Sequence, residues 1–425
     1  MRVLVVGAGL GGLTLAHGLR QAGIDVAVYE QDGVSGRPQG VSLHFDDRGT
    51  AALRACLPPG HVAMAEATMG GPRDRTQSVS EVDGELAVVH SQPLDGAAGP
   101  ARPGRQVHRP LLRAVLLTGL ADTVRVGAQF TGFERRLDGT VRALFADGST
   151  DTADVLVGAD GVGSAVRRQY LPQVQVVDTG KRMLMGATAL RAVADTGLPG
   201  LIGDSPANVQ QRGSMMVLGM LRFTRPPLAA REEWLPALRR DAVADLEDYV
   251  MWAVPVSQER LGSAGTPAEL WCRARDLVAD LHPTLRLVVD QAWRAVPVAL
   301  RIGMIPPMSA WTPGNVTLLG DAIHLAPGFG GNLAMRDAHW LRDALVQADR
   351  GEQELHAAIG GYENAMRRDS FPGPLSPLTR RRRAYEFHDA DPEIAVPVRG
   401  GGRLAHSRRS RRVPGAVPGG VSGDR

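Results

Sequence analysis

The chain has 425 residues, of which 44% are hydrophobic and 22% charged, so it is long enough for two closely packed domains. Its formal net charge of +3 hides an uneven distribution, because basic residues concentrate near the C-terminus in the runs Arg380–Arg383 and Arg408–Arg412. The rest of the chain carries no basic excess, which argues against nucleic acid as a partner.

No run of uncharged residues reaches the ~18 needed to cross a bilayer, and the N-terminus lacks the basic segment and cleavage site of a signal peptide. We therefore expect a cytoplasmic protein with no membrane span. The two cysteines, Cys56 and Cys272, lie far apart, and neither belongs to a metal-ligand spacing. We expect two buried, reduced thiols and no metal site.

The N-terminal residues have the pattern of a β-strand, an α-helix and a second β-strand. Arg2–Val6 is a short apolar run, Leu10–Ala22 has apolar residues at helical spacing, and Asp25–Glu30 is a second strand-like run. Gly23 ends the predicted helix. This alternation is typical of parallel sheets with a helical crossover.

The next segment is predicted to contain one helix and several strands. Apolar residues keep helical spacing over Arg105–Leu120, whereas Thr123–Phe130, Val141–Phe145 and Val155–Val157 have the composition of strands. Asp147-Gly148 is predicted to form the turn between Phe145 and the strand Val155–Val157.

Three longer strand-like runs follow without a helix after each of them: Lys181–Arg191, Ser214–Phe223 and Tyr249–Val256. Strands that lack helical crossovers favour an antiparallel sheet, and hence a second domain inserted into the first. The chain then returns to a short buried strand, Val316–Leu319, and a helix over about Leu333–Arg350.

Methionines are frequent in the predicted strands of the second domain. They could line a hydrophobic substrate pocket or belong to the core, and the sequence favours neither. The residues concerned are Met183, Met185, Met215, Met216 and Met220.

The turn between the first strand and the first helix has the pattern G-x-G-x-x-G at Gly7, Gly9 and Gly12. The first glycine permits the tight turn, the second lets a pyrophosphate approach the backbone, and the third allows close packing of helix on strand. Glu30 ends the next strand, where an acid is expected to accept hydrogen bonds from the adenosine ribose. An acid here also disfavours a 2′-phosphate, and therefore NADP, in this pocket.

Two later strands also end in glycine and aspartate. Val155–Val157 runs into Gly158-Ala159-Asp160-Gly161, and Val316–Leu319 runs into Gly320-Asp321, with Asn332 opening the following helix. A glycine allows close approach of a ligand, and a carboxylate can accept a hydrogen bond from a ribityl hydroxyl.

These three motifs, in this order, resemble the class A flavoprotein monooxygenases, the p-hydroxybenzoate hydroxylase-like family, over roughly Met1–Asp349. The resemblance implies FAD as cofactor and NAD(P)H as reductant. It also implies hydroxylation of a small aromatic substrate, with polycyclic and polyketide-type aromatics among the candidates, by molecular oxygen through a flavin hydroperoxide. Arg109 matches the family's arginine near the ribityl-phosphate region of the flavin. No protein nucleophile is implied, so no catalytic residue is assigned.

The predicted fold is therefore α/β, with a Rossmann-like FAD-binding domain built on a parallel sheet and an inserted substrate domain built on an antiparallel sheet. The predicted segments are 1–180 (FAD-binding, with some substrate-domain elements), 181–300 (substrate domain), 301–372 (return to the FAD-binding domain) and 373–425 (disordered basic tail).

The candidate cofactor-binding residues belong to the glycine-rich turns, to the ends of strands and to the arginines near them. Arg37 could contact a cofactor phosphate or could be a solvated loop residue. His324 could act as a base, although local packing is the simpler interpretation. The full set is Gly7, Gly9, Leu10, Gly11, Gly12, Glu30, Arg37, Arg109, Asp160, Gly161, Gly320, Asp321, Gly330, Gly331 and Asn332.

One departure from the family pattern leaves other functions open. The segment Pro327-Gly328-Phe329-Gly330-Gly331 leads directly into Asn332, about three residues shorter than the family's loop beside the flavin ring. A flavin-dependent reductase or dehydrogenase of the same fold and a catalytically impaired flavin-binding protein therefore remain alternatives. A flavin halogenase is disfavoured because Trp252-Ala253-Val254-Pro255 does not match its tryptophan motif. The sequence leaves the oligomeric state open.

Overall fold

The structure is a computed structural model that describes residues 1–94, 102–211, 214–325 and 330–371. The predicted tail 373–425 and the loop residues Pro327–Phe329 lie outside the described residues. The strands are β1 (Arg2–Val6), β2 (Asp25–Glu30), β3 (Ser42–Asp46), β4 (Pro72–Arg73), β5 (Arg75–Val82), β6 (Glu85–Pro93), β7 (Gly104–His108), β8 (Val124–Val126), β9 (Phe130–Arg135), β10 (Val141–Phe145), β11 (Thr150–Ala153), β12 (Val155–Gly158), β13 (Val177–Ala189), β14 (Ala207–Gln211), β15 (Ser214–Leu221), β16 (Tyr249–Ser257), β17 (Val298–Met304) and β18 (Val316–Leu318).

The described α-helices pack on the faces of these sheets. They are α1 (Leu10–Gln21), α2 (Asp47–Cys56), α3 (Pro59–Ala67), α4 (Arg109–Leu117), α5 (Ala165–Tyr170), α6 (Leu198–Ile202), α7 (Pro227–Trp234), α8 (Gln258–Leu261), α9 (Pro267–Leu277), α10 (Pro283–Asp290), α11 (Gly330–Asp349) and α12 (Leu355–Ser370). Short 3₁₀ turns cover Leu190–Thr196, Arg240–Ala242 and Gly320–Ala322.

A five-stranded parallel sheet in the order β18-β12-β1-β2-β8 forms the centre of the first domain. β1 is its middle strand, and Val3, Leu4 and Val5 are completely buried. Helix α1 packs against β1, and the three-stranded sheet β11-β10-β9 also contacts the parallel sheet, through β11 with β1 and β10 with β12. The carboxyl ends of β1, β2, β12 and β18 lie at one edge, since all four strands run in the same direction. The predicted parallel, Rossmann-like sheet is confirmed.

The second layer is a seven-stranded sheet in the order β17-β13-β16-β15-β14-β5-β6. Its pairs are antiparallel except for the parallel pair of β14 and β5. The predicted antiparallel sheet is confirmed, and β5 and β6 show that an early part of the chain contributes to it. The domain boundaries themselves stay a prediction.

Three elements of the sequence interpretation were wrong. Residues Arg105–His108 belong to β7 rather than to a helix, because β7 pairs with β3 along its whole length. The helix begins only at Arg109, where Pro110 occupies the first turn, a position that suits proline.

Thr123–Phe130 is not one strand either, since β8 ends at Val126 and β9 begins at Phe130. The Asp147-Gly148 turn joins β10 to β11, with which β10 pairs, rather than to Val155–Val157.

The expectation for the cysteines is half correct: Cys56 is buried, whereas Cys272 is exposed on α9. In the part of the chain that the structure describes, no helix combines the length and apolarity needed to span a membrane. The same residues contain no group of His, Cys, Asp or Glu side chains arranged to hold a metal ion.

Candidate active site

The turn between β1 and α1 is shaped by its glycines. Gly7 has φ +108°, and a Cβ there would lie 2.4 Å from the Ala159 carbonyl oxygen. A Cβ at Gly12 would lie 2.1 Å from the Gly7 carbonyl oxygen, so helix and strand pack in direct contact. A Cβ at Gly9, in contrast, would meet nothing within 4 Å. The turn therefore leaves open space at the N-terminus of α1, where free N–H groups favour an anion.

Leu10 and Gly11 belong to the packing under this turn. Leu10 is buried in the core, and a Cβ at Gly11 would lie 2.7 Å from Leu319 and 2.9 Å from the Ala334 carbonyl oxygen. The close contact brings α1 against β18 and α11, so the first and third glycine motifs are neighbours.

Glu30 lies at the carboxyl end of β2, beside the glycine turn. Its Oε2 accepts a hydrogen bond from the Ala8 N–H at 2.8 Å, and its Oε1 accepts one from the Asp32 N–H at 2.8 Å. The carboxylate thus holds the turn and the following loop together.

Arg113 is a residue of this site that the sequence reasoning missed. Its Nε donates to the Ala8 carbonyl oxygen at 3.2 Å and its Nη1 donates to the Val34 carbonyl oxygen at 2.5 Å. The signal was present, because Arg113 follows Arg109 by one helical turn and the two share a face of α4.

The two predicted arginines have different environments. Arg37 is largely exposed and forms an ion pair with Asp32 at 2.8 Å, which fits the solvated-loop interpretation. Arg109 donates to Gln39 Oε1. Burial lowers the pKa of Arg109 to about 10, against an opposing effect of Asp321, so Arg109 remains a cation at neutral pH.

Asp160, in the second motif, receives hydrogen bonds from the N-terminus of α5. Its Oδ2 accepts from the Ala165 N–H at 2.7 Å and from the Val166 N–H at 3.2 Å. Burial raises the pKa of this carboxyl, and its Oδ1 has no hydrogen-bond partner among the described residues. Gly161 follows Asp160 with a φ of +73°, a left-handed conformation that favours glycine.

Arg167 joins the second motif to the third. It is buried, and its guanidinium donates to the carbonyl oxygens of Ala322 and Val162, both at 2.8 Å. The sequence showed this arginine beside the motif but gave no indication that it reaches the turn after Gly320, because that contact spans 155 positions of the chain.

Gly320 and Asp321 follow β18 at the same edge of the sheet. Gly320 has φ +61°, and a Cβ there would lie 2.7 Å from Ala334 Cβ. Burial raises the pKa of Asp321, and no described residue donates a hydrogen bond to its carboxylate. A Cβ at Gly330 would lie 2.6 Å from Asp321 Oδ1, so the start of α11 packs directly against this carboxylate.

His324 is completely buried and bound to Asp337, with 2.5 Å between Nε2 and Oδ2. Although burial opposes it, Arg336 and His324 hold the pKa of Asp337 below its ordinary value. This arrangement agrees with the local-packing interpretation of His324.

Asn332 uses its side chain to connect α11 to β3. Its Nδ2 donates to the His44 carbonyl oxygen at 2.7 Å and its Oδ1 accepts from the Asp46 N–H at 3.0 Å. Gly331 packs against Leu43, which would lie 3.0 Å from a Cβ at this position.

The seven-stranded sheet has two faces. Because side chains alternate between the faces along each strand, the methionines are divided between them. Met216 and Met220 point into the core under α9 and α10 and are buried. Met183, Met185 and Met215 have the opposite parity and are partly exposed. We call this second surface the methionine face, and it also carries Val217, Met251 and Leu300.

The methionine face contacts the first domain through the segment after β2. A Cβ at Gly40 would lie 3.5 Å from Met185 Sδ and 3.7 Å from Leu300 Cδ1. The Tyr249 hydroxyl donates to the Val41 carbonyl oxygen at 3.2 Å and lies 3.1 Å from His108 Nδ1. Burial lowers the pKa of His108 to about 4, so this imidazole is neutral at physiological pH.

The structure thus brings the three glycine motifs, Glu30, Arg109 and the start of α11 to one edge of the parallel sheet, opposite the methionine face. Parallel sheets of this kind bind ligands beyond the carboxyl ends of their strands. The arrangement can hold an extended anionic ligand along the edge and a flat apolar group against the methionines.

Comparison with known families agrees with this arrangement. The NAD(P)-binding Rossmann-like domain model matches residues 5–47, and the FAD binding domain model matches residues 273–363. The first covers the glycine turn and Glu30, and the second covers Gly320-Asp321 and α11.

Curated relatives include an FAD-dependent urate hydroxylase of Klebsiella pneumoniae subsp. pneumoniae, 30% identical over 408 residues that cover 93% of this chain and 92% of that protein. A dual O-methyltransferase/FAD-dependent monooxygenase of Cercospora beticola is 31% identical over 407 residues. This match covers 86% of the present chain but 44% of the relative, so the chain spans less than half the length of such dual enzymes.

Solved structures share the fold. A crystal structure assigned as an FAD-containing monooxygenase from Photorhabdus luminescens has a TM-score of 0.74 at 28% identity, covering 93% of this chain and all of that one. A Klebsiella pneumoniae protein crystallised with FAD and uric acid has a TM-score of 0.70 at 24% identity, covering 92% and 90% of the two chains.

Proposed function

The chain belongs to the family of FAD-dependent monooxygenases, and on this premise we propose that it hydroxylates an aromatic substrate with FAD as cofactor, NAD(P)H as reductant and molecular oxygen as co-substrate. The single observation that carries the proposal is the meeting of three glycine motifs at one sheet edge, opposite an apolar, partly open sheet face.

The glycine turn suits the pyrophosphate and adenosine of FAD. The open space beside Gly9 and the free N–H groups of α1 provide room and positive potential for the pyrophosphate. Glu30 would accept the ribose hydroxyls. Arg113 of α4 donates a hydrogen bond to the same turn at the Ala8 carbonyl oxygen, and its positive charge would offset the negative charge of the phosphates.

The third motif suits the sugar chain and ring of the flavin. Asp321 is a partly buried carboxylate to which no described residue donates a hydrogen bond, and such a group gains stability when a hydroxyl donates to it. Arg109 would lie near the ribityl-phosphate region. Gly330 and Gly331 would offer backbone N–H groups at the start of α11. Asn332 would act by holding the start of α11 in place, because its side-chain atoms already bind β3.

Reduced FAD supplies the activation of oxygen, which no amino-acid side chain provides. The role of the chain is to orient the substrate and to exclude water. The methionine face would hold a flat aromatic by apolar contact, and Tyr249 would keep the Gly40–Val41 segment fixed against that face.

The proposal is tested by purification and turnover. We expect a yellow protein, or an apoprotein that acquires a flavin spectrum with added FAD, and substrate-dependent oxidation of NAD(P)H coupled to oxygen consumption. A protein that shows neither a spectrum nor a thermal shift with saturating FAD would contradict the cofactor assignment. Substrate turnover without oxygen consumption would instead favour a reductase or dehydrogenase.

A further inference from the structure

The three-stranded sheet β3-β7-β4 contacts the seven-stranded sheet, and we call this contact the seam. Side chains alternate along β7, so Val107 packs in the core of the first domain whereas Gln106 and His108 have the opposite parity. Arg73, which pairs with Gly104 of β7, lies on the same side and donates to Gln106. The seam is therefore polar, although Arg73, Gln106 and His108 are all buried.

Two side chains of the three-stranded sheet form hydrogen bonds across the seam. Arg73 Nη2 lies 3.3 Å from the position of a Cβ at Gly219 and donates to the Met220 carbonyl oxygen at 2.7 Å. His108 Nδ1 lies 3.1 Å from the Tyr249 hydroxyl oxygen. Buried polar groups are costly unless their partners are in place, so these contacts favour one register of the two sheets over others.

The Tyr249 hydroxyl joins His108 to the backbone of the first domain. It donates to the Val41 carbonyl oxygen at 3.2 Å, and a hydroxyl has only one hydrogen to donate. The contact with His108 is therefore a second hydrogen bond only if the imidazole carries its hydrogen on Nδ1. Because burial lowers the pKa of His108 to about 4, the ring is neutral and has one N–H. The arrangement thus requires the Nδ1–H tautomer of His108.

The Val41 carbonyl oxygen connects these hydrogen bonds to Arg109. It accepts the Arg109 N–H at 2.9 Å in addition to the Tyr249 hydroxyl. The Arg109 side chain donates to Gln39, two residues before Val41, and the negative charge of Asp321 acts on it. One carbonyl group therefore holds both the first residue of α4 and the first residue of β16.

We propose that His108 and Tyr249 are positioning residues for the flavin: acting through the Val41 carbonyl, they set the position of the Arg109 guanidinium relative to the methionine face. This inference rests on the proposed function, which places FAD beside Arg109, and adds the residues that align the cofactor site with the seven-stranded sheet. Neither side chain has to contact the cofactor. Alignment matters because a misplacement of ~1 Å can cost on the order of 100-fold in rate.

The test is a double-mutant cycle on FAD affinity, measured by titrating FAD into the full-length apoprotein. Tyr249→Phe removes the hydroxyl and keeps the ring, which packs against Trp293 with 5.6 Å between ring centroids. In the wild-type background we expect FAD to bind about 3- to 10-fold more weakly, as for one lost hydrogen bond. In the Arg109→Met background the same change should have no further effect, because the arginine through which the hydroxyl acts is gone.

Substitutions of His108 test the tautomer. His108→Asn keeps an N–H donor near the position of Nδ1, whereas His108→Leu removes the donor. We expect the Asn variant to keep wild-type FAD affinity and the Leu variant to match Tyr249→Phe. The visible circular dichroism of bound FAD should change in Tyr249→Phe and His108→Leu but not in His108→Asn. Tyr170→Phe is the matched control, since the Tyr170 hydroxyl of α5 binds the Thr312 carbonyl oxygen outside the seam.

The outcomes separate this inference from the proposed function. Unchanged FAD affinity in Tyr249→Phe, or equal losses in the wild-type and Arg109→Met backgrounds, would overturn the inference and leave the proposed function intact. A wild-type protein that binds no FAD would contradict the proposed function itself. If His108→Leu does not fold, the Tyr249→Phe cycle decides. If Arg109→Met binds too little FAD to titrate, the circular dichroism decides, and a spectrum unchanged in Tyr249→Phe would overturn the inference.

Discussion

Asp337 on α11 binds His324 and the turn after β18 with the same carboxylate oxygen. Its Oδ2 lies 2.5 Å from His324 Nε2 and accepts the Gly320 N–H at 3.0 Å, while its Oδ1 binds Arg336 at 2.6 Å. Both His324 and Asp337 are completely inaccessible to solvent. The pair therefore fixes the turn that presents Asp321 to the candidate FAD site.

We predict that Asp337→Asn lowers both stability and FAD affinity. Removing one member of a buried charged pair costs ~3–5 kcal/mol when the remaining charge is left uncompensated. Because Arg336 keeps Asp369 as a second carboxylate partner, we expect a loss of stability below this range. Thermal melting of the apoprotein and titration with FAD measure the two effects. Asp343→Asn is the control on the same helix, since Asp343 is half exposed and pairs with Arg342 at the surface. Equal losses in both variants would argue against a specific role for Asp337.

Substitution of Glu30 should weaken FAD binding. Glu30→Ala removes the expected ribose acceptor, and it also releases the Ala8 and Asp32 N–H groups that the carboxylate now binds. A lost charged hydrogen bond costs ~1.5–3 kcal/mol, which is roughly a 10- to 150-fold loss of affinity. Isothermal titration with FAD measures it. Asp25→Ala, at the other end of β2, should leave the affinity unchanged; unchanged affinity in Glu30→Ala would place the ribose elsewhere.

Asp321→Ala should separate cofactor binding from folding. Asp321 is partly buried, desolvation raises the pKa of its carboxyl group, and no described residue donates a hydrogen bond to it. Removing it should therefore leave the apoprotein at least as stable, whereas FAD affinity should fall by a factor on the order of ten or more. FAD titration and apoprotein melting are measured side by side. A lower apoprotein melting temperature with wild-type affinity would assign Asp321 a structural role in the turn.

The raised pKa of Glu363 predicts that the free energy of unfolding depends on pH. Burial raises the pKa of Glu363 from 4.5 to about 7, against the hydrogen bond from the Thr317 hydroxyl and the positive charge of Arg367. A raised carboxyl pKa means that the folded state binds the proton more tightly, so this stabilisation is complete below pH 4.5 and is lost as pH rises through about 7. Glu363→Gln keeps the hydrogen-bond acceptor for Thr317 and removes the charge.

The variant should therefore be more stable than the wild type at pH 8, by at most about 3 kcal/mol, with little difference at pH 5. Urea unfolding at both pH values measures the effect. Glu352→Gln serves as the control because Glu352 is exposed. A wild-type stability that does not fall relative to Glu363→Gln between pH 5 and pH 8 would show that this carboxyl titrates normally.

The sequence alone determined the features that depend on neighbours in the chain. The strand, glycine turn and helix at Gly7–Gly12, the acid at Glu30 and the Gly320-Asp321 turn were predicted because each needs a residue type at a fixed local spacing. The parallel and antiparallel sheets followed from whether helices separate the strands. The roles of these residues toward FAD stay a prediction until binding is measured.

Only the tertiary structure decided the features that depend on distant partners. Arg105–His108 was predicted as the start of a helix but forms a strand, because its pairing with β3 satisfies backbone hydrogen bonds that local pattern cannot reveal. The parity of β13, β15 and β16 divided the methionines between core and open face, since a strand places alternate side chains on opposite sides of a sheet. Arg73 reaches Gly219 across 146 positions of the chain and lies where a side chain at Gly219 would point, and its burial there is a property of packing alone.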